Sequence, residues 1–299
     1  MRILICSDGT DPADKPVRLG GLLAGPCRAE TTLLGIAEVA DDEDSLRGAL
    51  DSEADKLREF GVSPEIVLRR GEPIREILNQ ITSVHYDLTI IGAERKGSTG
   101  LYWRAQKSYE VIKAIPSPVL LATGPSTSLK SFIVCTGGKS FIDAAVELTG
   151  QVAAAVGASV TLLHVMAEPP AIYANLSRLE EDVDYLLGSD SELGRNLRMQ
   201  KESLEALGVK VEVRLRHGLV LPQIFAEVDE QQHDLIVTGS TRARGPFSHY
   251  MLGDLTRGIV NRADVPVLVA RAKVSDKSPS PGIWQALKRI FGGNALLFW

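Results

Sequence analysis

The sequence is poor in the residues that staple a fold. It has three cysteines, Cys6, Cys27 and Cys135, in 299 residues. An odd count at these spacings supports neither a disulfide framework nor a zinc site. Cys6 and Cys135 lie within apolar, strand-like runs, as small core residues do. The five histidines, His85, His164, His217, His233 and His249, form no pair at metal-ligand spacing. A basic excess is also missing. The formal net charge is −5, which argues against a general nucleic-acid binder, because phosphates need cations to neutralise them. No apolar run is long enough to cross a bilayer. The first residues, Met1-Arg-Ile-Leu-Ile-Cys6, run straight into a strand without a secretory leader, so the expected location is the cytoplasm. What is present is 44% hydrophobic residues, enough for two cores at about 150 residues each.

The chain repeats itself. Shifted by 129, Cys6-Ser-Asp-Gly9 falls on Cys135-Thr-Gly-Gly138, and Thr32-Leu-Leu-Gly-Ile36 on Thr161-Leu-Leu-His-Val165. Shifted by 147, Gly61-Val62 falls on Gly208-Val209, Leu68-Arg69 on Leu215-Arg216, and Asp87-Leu88 on Asp234-Leu235. The same shift pairs Gly71 with Gly218, Gly92 with Gly239 and Arg95 with Arg242. Pro118-Val-Leu-Leu-Ala122 and Pro266-Val-Leu-Val-Ala270 close the two copies. The change of shift locates an 18-residue insertion between Val165 and Gly208. There Leu176, Leu179, Val183, Leu186 and Leu187 recur at helical spacing, predicting an extra amphipathic helix that covers part of the fold.

Each copy reads as strands alternating with helices. In copy one the strands are Ile3–Cys6, Thr32–Ala37, Glu65–Leu68, Leu88–Ile91 and Val119–Ala122. Helices fall at Lys15–Leu23, Asp44–Phe60 (capped by Gly61), Pro73–Ser83 and Lys107–Ala114. Short, nearly all-apolar strands in this alternation predict α/β architecture: two doubly wound parallel five-stranded sheets in tandem. Such sheets bind ligands beyond the carboxyl ends of their strands, where strand order reverses. Ser7-Asp8-Gly9-Thr10 and Thr136-Gly137-Gly138-Lys139-Ser140 follow the first strands. Gly92 to Gly100 and Gly239 to Gly245 follow the fourth. Glycines there allow close backbone approach, and the neighbouring small and basic residues suit a phosphate. Gly138-Lys139-Ser140 lacks the upstream glycine spacing of a P-loop.

In order and spacing these residues resemble the universal stress protein family in its tandem two-domain form. The marks are Thr161–Val165, Gly218, Asp234-Leu-Ile-Val-Thr-Gly-Ser240 and Asp264-Val-Pro-Val-Leu-Val269, with Gly71, Asp87–Gly92 and Ser117–Leu121 in copy one. The resemblance implies an adenine nucleotide alpha hydrolase-like fold in domains spanning 1–125 and 130–272, followed by a tail at 273–299. It also implies ATP or AMP as ligand, stress-response function, and dimerisation through the last strands. The two copies would then form an intramolecular pseudo-dimer with Val119–Ala122 and Val267–Ala270 at its seam; a homodimer of whole chains is a further implied assembly.

Nucleotide-binding members carry an Asp ending strand one and an aliphatic residue ending strand two. They then carry Gly, two residues, Gly, nine residues, and Gly before Ser or Thr. Copy one keeps Asp8, Ile36 and Gly92, but has Arg95 at the second glycine and Ala105-Gln106 at the last pair. Copy two has Gly137 in place of the Asp, keeps Val165 and Gly239, has Arg242 at the second glycine, and ends in Gly253-Asp254. Asp254 would set a carboxylate where a triphosphate rests. Like charges about 4 Å apart at an effective dielectric of about 20 repel by about 4 kcal/mol. Arg95, Lys96, Arg104, Lys107, Arg242 and Arg244 offer side-chain cations instead. The site is therefore degenerate, and copy one is the better candidate.

No serine is paired with a histidine and an acid, and the motifs of related nucleotidyl transferases and pyrophosphatases are missing, so the chain reads as a non-enzyme. Two functions stay open: a regulatory protein sensing an adenine nucleotide, and a protein–protein adaptor that has lost nucleotide binding. In the tail, Ile283, Trp284, Leu287, Ile290 and Phe291 fall on one helical face, with Lys288 and Arg289 opposite. Such a segment suits docking on the protein's own surface or across a dimer, or anchoring to a partner groove or membrane surface.

Overall fold

The computed structural model describes residues 1–9, 14–39, 42–92, 111–124, 128–137, 143–166, 183–242, 250–251 and 253–271. The first half contains β1 (Arg2–Ser7), α1 (Asp14–Ala24), β2 (Glu30–Ala37), α2 (Glu43–Glu59), β3 (Glu65–Arg70), α3 (Pro73–Ser83), β4 (Leu88–Gly92) and β5 (Val119–Ala122). The second contains β6 (Ser131–Cys135), α4 (Asp143–Val156), β7 (Ser159–Met166), α5 (Val183–Gly188), α6 (Glu192–Glu205), β8 (Val211–His217), α7 (Val220–Gln231), β9 (Leu235–Arg242), β10 (Tyr250–Met251), α8 (Asp254–Arg262) and β11 (Val267–Arg271).

Local chemistry sets the element ends. Glu72 caps α3 by accepting from the backbone N–H of Ile74 and Arg75, and Pro73 occupies the first helical position. Gly61, at φ +75°, turns the chain out of α2. The central strands are buried on both faces; in β2 only Glu30 is exposed. That double burial is the signature of a parallel sheet clothed in helices.

The two expected five-stranded sheets are continuous. Their order is β3-β2-β1-β4-β5-β11-β9-β6-β7-β8, with β10 paired to β9. Strands within each half run parallel, apart from β10. The halves meet where β5 and β11 pair antiparallel, Val119 opposite Val269, Leu120 opposite Leu268 and Leu121 opposite Val267. Left apart, each half would expose an edge strand of wholly buried residues with unpaired backbone groups. Beside the seam, Thr123 Oγ1 donates to the Val265 carbonyl at 2.7 Å. Gly124 sits at φ +63°, where a Cβ would fall 1.8 Å from the Asp264 carbonyl oxygen. One core layer joins Ile3, Ile5 and Leu33 to Phe132, Val134 and Leu162; the opposite layer joins Leu4, Leu34 and Ile91 to Ile133, Leu163 and Val269. Of the insertion, Val183, Leu186 and Leu187 pack against the first layer, in the covering role expected. Leu176, Leu179 and the tail at 273–299 lie outside the described residues.

The halves also repeat a polar frame. Asp87 accepts from the backbone N–H of Arg2 at 2.8 Å, and Asp234 from those of Lys130 and Ser131 at 2.7 and 3.1 Å. Arg69 donates twice to Gln80 Oε1 and lies 3.8 Å from Glu76. Arg216, its counterpart, donates to Glu227 at 2.5 Å and to Gln223 at 3.3 Å. The carboxylate and the amide have exchanged places one helical turn apart, so each arginine keeps one acid and one amide of that pair, and Arg216 adds Glu230. Gln80 donates onward to Tyr86, which donates to Thr32. In the second half the Tyr86 position is His233, buried 3.9 Å from the fully buried Glu227 and hydrogen-bonded to Ser131. Burial pushes His233 below the ordinary histidine value, against the pull of Glu227 and Asp234. Glu230 is held low by its hydrogen bond to Arg216.

Two outcomes are expected. Gly124→Ala must overlap the Asp264 carbonyl at an unfavourable φ, and should lower stability by at least about 2 kcal/mol in urea unfolding. His233 binds its proton more weakly when folded than when unfolded. Its contribution is therefore complete above the ordinary value of 6.5 and is lost as pH falls through the lowered folded value. His233→Tyr, which copies Tyr86, should flatten the decline of the urea midpoint between neutral and mildly acidic pH; an unchanged slope would exclude His233 as its source.

Candidate functional site

In each half the strand order reverses at the first strand: β1 lies between β2 and β4, and β6 between β7 and β9. In the first half Ser7 is paired with Gly35, which sets Asp8 level with Ile36, and the β1–β4 register sets Ser7 level with Gly92. Asp8, Ile36 and Gly92 thus occupy adjoining strand ends. Asp8 is half-buried and Ile36 is buried in the core layer under α3. Gly92 is backed by α1: a Cβ there would stand 3.2 Å from Pro16 Cγ. Arg95 and Gln106 lie outside the described residues, as do Lys96, Arg104 and Lys107.

The turn after β1 is seated on α2. Gly9 takes φ +70°, and a Cβ on it would come within 2.7 Å of Ala49 Cβ. Ser7 Oγ donates to Glu53 at 2.7 Å and accepts from the Gly9 N–H at 3.1 Å. Ala49 and Glu53 are one helical turn apart, so a single stripe of α2 carries the turn that presents Asp8. Glu53 is buried among Leu50, Ala54 and Leu57. Cys6, next along β1, is inert: burial pushes its thiol up to about 12, as it does for Cys135.

The second half repeats the clamp with different chemistry. Thr136 Oγ1 donates to Gln200 Oε1 at 3.1 Å. Ser7 maps onto Thr136 at the first shift and Glu53 onto Gln200 at the second, an internal match that sequence reasoning missed although both shifts were in hand. His164 Nδ1 donates to the Thr136 carbonyl at 2.9 Å. Val165 is half-buried and level with Gly137; Gly239 is level with Thr136. The loop expected after Gly239 does not begin there. β9 continues to Arg242, where it pairs with Tyr250 of β10, because the chain returns as a hairpin. Gly253 is the N-cap of α8, and no atom among the described residues lies within 4 Å of a Cβ placed on it. Asp254 occupies the first turn of α8, where its charge complements the helix dipole.

The architecture defines an α/β protein with two strand-end sites related by internal pseudo-symmetry. Residues 129–271 match the universal stress protein family. A universal stress protein from Archaeoglobus fulgidus, 18% identical, aligns over 90% of this chain and 98% of its own, with a TM-score of 0.62. A Pseudomonas aeruginosa protein of unknown function, 14% identical, aligns over 97% and 96%, with a TM-score of 0.67. At those identities the likeness is one of fold, and it spans both halves. No curated protein matches the sequence. Among the described residues no group of acids, histidines and cysteines could hold a metal ion, and no helix is long and apolar enough to cross a membrane.

The clamp makes a prediction. Ser7→Ala takes a hydroxyl donor from the buried Glu53 and an acceptor from Gly9. It should cost about 1–2 kcal/mol in chemical unfolding. Ser7→Thr should restore most of that loss, since Thr136 performs the same task in the second half.

Proposed function

We propose that the chain is a non-catalytic stress-response regulator, with universal stress protein domains at 1–125 and 130–272. It senses one adenine nucleotide, ATP or AMP, at the first-half strand ends. The observation that carries this reading is the meeting of Asp8, Ile36 and Gly92 where strand order reverses. An aliphatic wall suits an adenine, a carboxylate suits ribose hydroxyls, and a glycine leaves room for the ligand against α1. The second half has Gly137 for the acid and Asp254 at the helix start, and it does not share the role. Leu219, 76% exposed at the N-cap of α7 where the first half has Glu72, favours a contact surface for a protein partner there instead. Calorimetric titration with AMP and ATP tests the assignment. Binding should weaken about tenfold in Asp8→Ala, the loss of one good charged hydrogen bond, and should survive Asp254→Ala. No heat at millimolar ligand would leave the adaptor reading in its place.

A further inference from the structure

α7 begins with apolar residues where a helix is best served by a polar cap. Leu219, at its N-cap, makes no side-chain hydrogen bond and is 76% exposed. Val220 is 41% exposed, and Pro222 is exposed beside them. The fold does not demand this. The second shift sets Glu72 and Arg75 of the first half, both exposed and polar, opposite Leu219 and Pro222, and Glu72 caps α3. A contiguous apolar turn on an otherwise polar surface marks a place of contact. Asp229, also exposed, lies on the stripe that runs from Pro222 through Ala226.

The chain carries a segment of matching chemistry within reach. β11 ends at Arg271, level with Ser240 of β9, so the chain leaves the sheet at the carboxyl ends of the second-half strands. β8 delivers Leu219 at that same end. Four strand spacings separate β11 from β8, about 19 Å. Residues 272–282 span up to about 36 Å when extended. Beyond them Ile283, Trp284, Leu287, Ile290 and Phe291 form an apolar set, followed or interrupted by Lys288 and Arg289. The insertion in the second half is committed elsewhere: its Val183, Leu186 and Leu187 join the first core layer, whereas Leu221, Ile224 and Phe225 of α7 join the opposite one. We propose that residues 283–291 dock in cis on the first turn of α7, with their apolar face over Leu219, Val220 and Pro222 and their basic pair toward Asp229. This names the occupant of the contact surface proposed at Leu219, and it does not depend on the nucleotide assignment. While docked, the segment withholds that surface from any other protein.

The test places the photoprobe p-benzoylphenylalanine at position 219 of the full chain, where a large apolar side chain replaces an exposed one. The purified protein is irradiated when dilute, the products are separated by mass, and the joined peptides are mapped. A crosslink to residues 283–291 in a species of single-chain mass is expected. Leu287→Asp should lower its yield at least about fivefold, through the loss of one apolar anchor. The same probe at position 72 should not reach residues 283–291. A yield unchanged by Leu287→Asp would overturn docking in cis. So would a crosslink found only in species of two-chain mass, one that goes to residues 167–182 instead, or none at all. The two-chain product would keep Leu219 as a contact surface, with a second copy as its occupant. The nucleotide reading is judged separately, by the AMP and ATP titrations.

Discussion

The antiparallel pairing of Val119–Leu121 with Val267–Val269 holds two repeats together as one body. Each strand is wholly buried and each would be the open edge of its own half. Pairing them satisfies backbone groups that neither half can satisfy alone, and it removes the most apolar edge in each. The edges left open are β3 and β8, which carry Arg69, Arg70, Glu212, Arg214 and Arg216. Charge on an open edge opposes further strand addition. The seam also carries both core layers across the molecule, so packing in one half is coupled to the other through shared neighbours.

Duplication under that constraint has preserved positions and changed chemistry. The anchors Asp87 and Asp234 are unchanged. The arginine clamps persist with acid and amide exchanged between Glu76–Gln80 and Gln223–Glu227. The strand-end clamps persist with Glu53 answered by Gln200. Around Glu227 the second half has gathered Arg214, Glu230 and His233, which makes its frame titratable where the first half uses Gln80 and Tyr86. The two mouths have parted further. One keeps Asp8 and a glycine set tightly against Pro16; the other has a hairpin through Arg242 and an acid at the start of α8.

Much of this was legible in the sequence, for identifiable reasons. Strands such as Val119–Ala122 and helices such as Pro73–Ser83 carry unbroken apolar runs or explicit caps, and they fall where those signals put them. The seam at the two last strands was an expectation drawn from the resemblance to the universal stress protein family, and β5 and β11 do pair there. The extension of β9 was not legible: Ser240-Thr-Arg242 is as compatible with a loop as with a strand, and the hairpin partner Tyr250–Met251 decides it from a distance. Glu53 was missed because a glutamate in a helix reads as a solvent-facing charge; only its place among Leu50, Ala54 and Leu57, and its match to Gln200, mark it as buried.

The central claim is that two equivalent folds carry one nucleotide site. Native mass spectrometry of the intact chain, equilibrated with AMP and sprayed under non-denaturing conditions, counts bound ligands directly. The account predicts one AMP per chain, with occupancy lowered in Asp8→Ala at sub-saturating AMP and unchanged in Val165→Ala. Two ligands per chain, or a single one that survives Asp8→Ala and disappears in Val165→Ala, would contradict it.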